Sequence, residues 1–314
     1  MEKQWEVVLS SRGLKVLASA VQCMGRSAKD MTLVQSKDEI LLRALNPAES
    51  SFFTFAFSKE FFDRFDVRDP KVTSCCKLSI RAVSQIFRRL RNISALTLNQ
   101  TRLDDNEFVV FQLRSSGGVL RTHAFPLLDG VLQEAVFDRE SAPHLLLASP
   151  KRLTRMLAHV QGKEVCFDCG PDVLSPMNSM ESVTRGPRAR PRATEIPTQP
   201  WSVEVVTELK ELRSFLSFAD SSHVGAEAVG MYFEGRGKPI LFSTTTTTVA
   251  APFSADLIVA TTTKKGFDMS QALSQAPSPP PTELRKSPPI ESRSSPKHTT
   301  PKVEPKVEPK VEPK

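Results

Sequence analysis

Four short stretches that share one design constrain this chain more than any other feature. Residues 209–220 read as a helix with two incompatible faces. At 100° per residue, Leu209, Leu212, Phe215, Leu216 and Ala219 fall on one arc, and Lys210, Arg213 and Ser217 fall roughly opposite. Leu14, Leu17, Ala18 and Val21 follow the same spacing, with Arg12, Lys15, Ser19, Gln22 and Arg26 on the far side. Val83, Ile86, Phe87 and Leu90 repeat it against Arg81, Arg88 and Arg89. Leu153, Met156, Leu157 and Val160 repeat it against Arg152, Arg155 and His159, beside Lys151, with Ser149 placed to cap the helix and Pro150 at its first position.

Any surface helix has a charged outer face, so the signs of the charges decide what these faces are for. Segments 12–26, 80–91 and 150–160 hold ten Lys or Arg and no Asp or Glu. At the average acid density of the chain, roughly four acids would fall there. Ordinary solvated faces mix signs, so the pattern points to a shared surface that faces a polyanion. The chain has 314 residues and a net charge of +7. From Ser270 onward there are eight Lys or Arg against five Glu, which leaves the remainder near balance. Its cationic charge is therefore placed, not spread.

Between the helices lie runs rich in β-branched, aromatic and leucine residues, read as strands over 4–9, 31–35, 39–45, 52–57, 72–78, 95–98, 108–113 and 119–125. Asp104, Asp105, Asn106 and Glu107 read as a hairpin turn, not as a metal site. Pro126, Gly130 and Pro143 bracket a connector with an apolar centre of Val131, Leu132, Val136 and Phe137. The order then repeats: strand 144–148, basic helix, strands 164–168 and 202–206, the fourth helix, and strands 228–233, 239–243 and 257–261. Leu14 corresponds to Leu153 and Val83 to Leu212, an internal duplication of structure. Gly170–Pro200 interrupts the second half as an irregular, mobile insertion with Arg185, Arg188, Arg190 and Arg192 among prolines.

No run approaches the ~18 apolar residues of a membrane helix, and Met1-Glu2-Lys3-Gln4 opens no signal peptide, so a soluble intracellular protein without membrane association is expected. Its five cysteines are then thiols. Cys166 and Cys169 lack a second ligand pair, so no metal and no cofactor is expected. From Ser270 the chain has eleven prolines, no aromatic residue and a Pro-Lys-Val-Glu repeat, and it cannot bury enough apolar surface to fold. This tail carries Ser270-Gln271, Ser274-Gln275, Ser278-Pro279, Ser287-Pro288, Ser295-Pro296 and Thr300-Pro301, whose hydroxyls are candidate phosphorylation sites.

If cationic helices line a hole for a duplex on the order of 20 Å across with its water, the helix axes lie on a circle of about 140 Å, room for about twelve helices. This chain supplies four, so three chains close the ring, with edge strands paired between neighbours. The expected fold class is α+β, with residues 1–125 and 144–265 as two domains of two helices on an antiparallel sheet. Residues 126–143 form the connector and 266–314 the disordered tail.

The chain resembles the Rad-nine family, the PCNA-like subunit of the nine-one-one DNA-damage checkpoint clamp. The likeness is carried by Leu42-Arg43-x-Leu45-Asn46 with Phe52, Phe55, Phe57, Phe61 and Phe62, by Thr122-His123, and by Leu132-Gln133-x-Ala135-Val136-Phe137-Asp138 with Pro143-His144. Leu209-Lys210-Glu211-x-Arg213-x-x-Leu216-Ser217-Phe218-Ala219, Gly237-x-Pro239-x-x-Phe242 and Val259-Ala260-Thr261 extend it over most of residues 1–265. The resemblance implies a duplicated sliding-clamp fold, a heterotrimeric ring with two other PCNA-like subunits, and sequence-independent binding of double-stranded DNA. It also implies a clamp loader, checkpoint kinases acting on the tail, recruitment of a BRCT-repeat scaffold, and a nuclear location. The family's scaffold-binding serine sits among acids, and this tail has no such cluster. The competing readings are a replicative homotrimeric clamp, a DNA exonuclease and a duplicated module that reads bases. Generic Arg and Lys suit phosphates better than base edges, which favours the clamp over the last.

Overall fold

The computed structural model describes residues 2–69, 73–103, 106–128, 134–169, 174–177, 203–235, 237–245 and 252–261. The first half runs β1 (Glu2–Ser10), α1 (Ser11–Gly25), β2 (Asp30–Gln35), β3 (Glu39–Leu45), β4 (Ser51–Ser58), a single 3-10 turn at Lys59–Phe61, β5 (Arg64–Val67), β6 (Ser74–Ser79), α2 (Ile80–Ile86), β7 (Ile93–Leu103), β8 (Asn106–Ser115) and β9 (Leu120–Pro126). The second half runs β10 (His144–Ala148), α3 (Pro150–Leu157), β11 (Glu164–Cys169), β12 (Leu174–Met177), β13 (Val203–Glu208), α4 (Leu209–Ala219), β14 (Ala228–Phe233), β15 (Ile240–Thr245) and β16 (Phe253–Val259). The strands form three antiparallel sheets ordered β5-β1-β7-β8-β9, β10-β14-β15-β16-β4-β3-β2-β6 and β12-β11-β13.

The eight-stranded sheet belongs to both halves, because β4 and β16 pair from Phe57↔Phe253 to Ser51↔Val259. Alternation along β3 turns Ile40, Leu42 and Ala44 inward, and along β4 it does the same for Phe53, Phe55 and Phe57. These side chains join those of all four helices in one contiguous core. Phe55 of β4 meets Phe218 of α4 edge-on, with ring centroids 4.9 Å apart, which ties a strand of the first half to a helix of the second. On the opposite face of the same sheet, Phe52, Leu241 and Ile258 form a small separate apolar cluster.

The helices pack as a row, α2 beside α1, α1 beside α4 and α4 beside α3. The Ser214 hydroxyl donates to the Cys23 carbonyl at 2.7 Å, joining α4 to α1. Arg213 of α4 places Nη2 2.7 Å from both the Leu157 and Val160 carbonyls, where it caps the C-terminal end of α3 with a charged donor. Ser149 sits at the start of α3 ahead of Pro150, but its side chain makes no capping bond. Only its carbonyl enters the helix, accepting from the Arg152 and Leu153 amides.

Further features also differ from the sequence reading, among them the last strand, which begins at Phe253 and not at residue 257. The helix expected across 80–91 stops at Ile86, and Phe87 and Arg88 close it with i→i+3 bonds to Ser84 and Gln85. Arg88 and Arg89 therefore follow the helix, in a turn that ends with Asn92 at φ 65°. Strand β5 was not expected, and residues 174–177 inside the insertion read as irregular form β12 against β11, from Cys166↔Met177 to Cys169↔Leu174. The other residues of that insertion lie outside the described residues. Glu107, read as part of a polar turn, is the second residue of β8 and accepts hydrogen bonds from Gln4 Nε2 and Gln100 Nε2, each at 3.0 Å, and from Arg102. The other end of this network is buried, with Trp5 Nε1 donating to Gln100 Oε1 at 2.8 Å and Ser74 bonded to the same oxygen.

A second polar cluster links the halves. Asn46 Oδ1 accepts from the Ser50 and Ser51 amides at 2.8 and 3.0 Å, which shapes the turn into β4, and its Nδ2 reaches Glu208 Oε2 at 3.3 Å. Burial pushes the Glu208 carboxyl above the usual carboxylate range, and the neighbouring Glu211 carboxyl, itself buried, pushes it further. A folded-state pKa above the unfolded one opposes folding only when the group must ionise. The opposition is absent in acid, below the unfolded pKa, and complete above the folded pKa.

Two outcomes follow from these contacts. Glu208→Gln should raise the melting temperature at neutral pH and lose that advantage as the pH falls below the ordinary carboxyl range, where the carboxyl is protonated in both states; an unchanged or lowered Tm at neutral pH would contradict this. Arg213→Ala should cost about 1.5–3 kcal/mol in urea unfolding, because two carbonyls lose a charged donor. Lys210→Ala on the exposed side of the same helix should stay within about 0.5 kcal/mol.

Candidate functional site

The outward side of the helix row is the first candidate. Within the four helical spans the exposed ionisable residues are Arg12, Lys15, Arg81, Lys151, Arg152, Arg155, Lys210 and Arg213. The single acid in those spans, Glu211, is 4% exposed and points inward. The reason is local. The apolar arc of each helix is taken up by the core, so the remaining positions face outward, and in this sequence they are Arg, Lys, Ser, Thr and Gln. Without interspersed carboxylates the row presents a positive field, suited to a polyanion held through phosphate contacts.

The sequence-expected residues do not all behave alike. Arg26 is exposed just beyond α1, at its C-terminal cap. Arg213 is exposed in part, but its guanidinium is bound to the end of α3 and positions that helix. Arg88 and Arg89 line a cavity of about 510 Å³ between α2 and β9, together with Arg121, His123 and Phe125. Sequence reasoning missed Arg121 and His123. Their i, i+2 spacing with Phe125 was the available signal, since it places all three on one face of β9.

The connector forms the second candidate. Residues 134–143 cross the outer face of the eight-stranded sheet, where Ala135 and Phe137 pack on Phe52, Leu241 and Ile258. Glu134 Oε1 accepts from Arg43 Nη1 at 2.8 Å, and Arg139 pairs with Asp256 while its guanidinium lies 5.9 Å from the Tyr232 ring centre. Asp138 accepts the Glu140 and Ser141 amides, and these bonds hold its carboxyl below the usual range. A groove of about 310 Å³ remains beside this strap, and Val136 is 72% exposed at its rim. Val131 and Leu132 lie outside the described residues, as do Ser270, Ser274, Ser278, Ser287, Ser295 and Thr300.

Two of the thiols are held in their protonated form. Burial pushes Cys23 up to about 12 and Cys76 up to about 11, so both stay protonated at neutral pH. Among the described residues no cluster of three or more His, Cys, Asp or Glu is placed to hold a metal ion, and no helix is long and apolar enough to cross a membrane.

This geometry can be set beside known proteins. The cell cycle checkpoint control protein Rad9 of Drosophila melanogaster is 22% identical over 246 residues, which cover 74% of this chain and 52% of that protein. The chain thus spans about half the length of this curated relative. Among solved structures, proliferating cellular nuclear antigen (PCNA) from Entamoeba histolytica matches with a TM-score of 0.63 at 12% identity, covering 83% of this chain and all of the other. PCNA from Thermococcus kodakaraensis gives 0.61 at 14%, covering 82% of this chain and all of the other. A PCNA2–PCNA3 complex from Sulfolobus tokodaii gives 0.61 at 15%, covering 82% and 98%. At such identities the likeness shows the fold, which is that of the PCNA clamps. The family model described as Rad9 matches residues 17–262, well over half of the chain, and the chain belongs to the Rad9 family.

Proposed function

We propose that this chain is one subunit of a heterotrimeric DNA sliding clamp that encircles double-stranded DNA at sites of damage and serves as a platform for checkpoint signalling and repair. The observation that carries the reading is the helix row, whose exposed ionisable residues are all Arg or Lys. Three such rows lining a ring would surround a duplex with cations and leave the bases unread. The two other subunits are PCNA-like chains, and the ring is opened and closed on DNA by a clamp loader. The connector strap, pinned by Arg43–Glu134 and Arg139–Asp256, presents its groove to client proteins on the outer face. The tail beyond residue 266 takes phosphates from checkpoint kinases and recruits a BRCT-repeat scaffold in the nucleus. The reading assigns the chain no catalytic residue.

The experiment is reconstitution with two other clamp-type chains, followed by duplex binding. The wild-type chain should enter a 1:1:1 complex that binds DNA without regard to sequence and more weakly as salt rises. Reversing Arg12, Lys15, Arg81 and Lys210 to Glu should leave the complex assembled and its melting temperature nearly unchanged, because these side chains are exposed. DNA affinity should fall by at least tenfold, and the log–log salt slope should become shallower as phosphate contacts are lost. Undiminished DNA binding by this variant would remove the helix row from the DNA-facing role.

A further inference from the structure

Two acids lie where the halves of the chain meet, and the proposed function uses neither. Glu208 closes β13 as the N-cap of α4, and Glu211 sits in the first turn of that helix, where it is 4% exposed. Their carboxyl groups hydrogen-bond each other. A carboxylate only accepts, so this bond requires a proton on one of the two. No counter-ion replaces that proton. The helices α1 and α3 that flank α4 carry their cations on the exposed side, and the other charged groups near the pair are Arg26 after α1, Lys163 and Glu164 at the approach to β11, Lys210 on α4 and Glu49 on the turn before β4. Among the described residues no cation is ion-paired to Glu208 or Glu211. Glu164, directly opposite Glu208 across β11 and β13, adds a like charge.

Glu208 also reaches across the junction. Asn46 Nδ2 of the first half donates to its Oε2 at 3.3 Å, and Ser50 hydrogen-bonds the same carboxyl group. Asn46 in turn organises residues 46–51, because its carbonyl accepts the Glu49 amide at 2.9 Å and its side chain accepts the next two amides. Glu49 has φ 55°, a left-handed conformation that its own side chain disfavours, so the turn depends on Asn46 for its shape. The outer side of this turn is a wall. Asn46, Pro47 and Glu49 line a cavity of about 350 Å³ on the outer face of the eight-stranded sheet, and Arg43 and Phe52 belong both to it and to the groove beside the connector.

We propose that one proton shared by Glu208 and Glu211 fastens the turn 46–51 to α4, and that loss of this proton to water frees that wall of the outer-face cavity. With the proton in place, Glu208 is held between Glu211 and Asn46. Without it, two carboxylates face each other at hydrogen-bond distance, with a third acid opposite and no cation to balance them. Glu211 is buried and Glu208 is half-buried, so Glu208 is the group that can turn to solvent, and Asn46 then loses its partner across the junction. Burial, with the neighbouring acids, raises the Glu208 carboxyl above its ordinary range. The fastening is therefore complete in acid and is lost as the pH rises through the raised folded value. This goes beyond the clamp reading, since it needs neither DNA nor another subunit.

The test uses the full chain alone, labelled with carbon-13 at the glutamate carboxyls. One carboxyl should titrate well above the ordinary value of about 4.3. Glu208→Gln should remove that late titration, and Glu211→Gln should return Glu208 toward the ordinary value, because an amide donates the same hydrogen bond with no proton to lose. Hydrogen exchange at the Ser50 and Ser51 amides, corrected for the intrinsic effect of pH, reads the turn. In the wild-type chain their protection should fall at least tenfold across the late titration, while amides in β7 and β8 keep theirs. Both Gln variants should hold the protection level over the same range. A wild-type chain without a late-titrating carboxyl, or with level protection at Ser50 and Ser51 through that titration, would overturn the proposal. So would Gln variants that keep the wild-type response to pH. The wild-type measurements need no substitution, so a variant that fails to fold leaves them to decide. Failure to join other clamp chains or to bind DNA would count against the clamp reading alone.

Discussion

The antiparallel pairing of β4 with β16 is the contact on which the rest depends. It makes one sheet out of strands from both halves, so the core behind that sheet is continuous and the helices of the two halves can lie against each other. Phe55 then reaches Phe218 and Ser214 reaches the Cys23 carbonyl, and α1 and α4 become neighbours in the middle of the row. With the inner arcs of the helices committed to that core, Lys and Arg have only the outer side available. The charged surface is a consequence of how the apolar residues pack.

Much of this was legible in the sequence because periodicity reports burial. The apolar arcs of the four helices, the alternation in β3 and β4, and the limits of β10 and β14 follow from spacing alone. Contacts that need a distant partner were not legible. Arg213 reads as one more outward cation, and only the arrival of α3 fifty-odd residues earlier in the chain turns it into a cap. Glu107 reads as turn polarity, and only the assembly of β1, β7 and β8 in one sheet shows that it anchors Gln4 and Gln100. Strand β12 includes Pro176, a residue that argues against a strand, yet the edge position tolerates it. The arginine cavity depends on where α2 stops, since the turn after Ile86 carries Arg88 and Arg89 toward β9.

The middle of the helix row keeps Arg12, Lys15 and Lys210 exposed on the side away from the core. The connector on the outer face is independent of that row, because its ion pairs to Arg43 and Asp256 lie on the other side of the eight-stranded sheet.

The most direct measurement of the central claim distinguishes encirclement from adhesion. The chain, assembled with its ring partners and loaded on duplex DNA, is challenged with high salt on closed circular DNA and on the same DNA after one double-strand cut. Phosphate contacts are screened equally in both samples. Encirclement predicts that the complex stays on the circle and leaves the cut molecule from its ends. Equal loss from both forms would show that the cationic row only adheres to DNA, and would contradict the account.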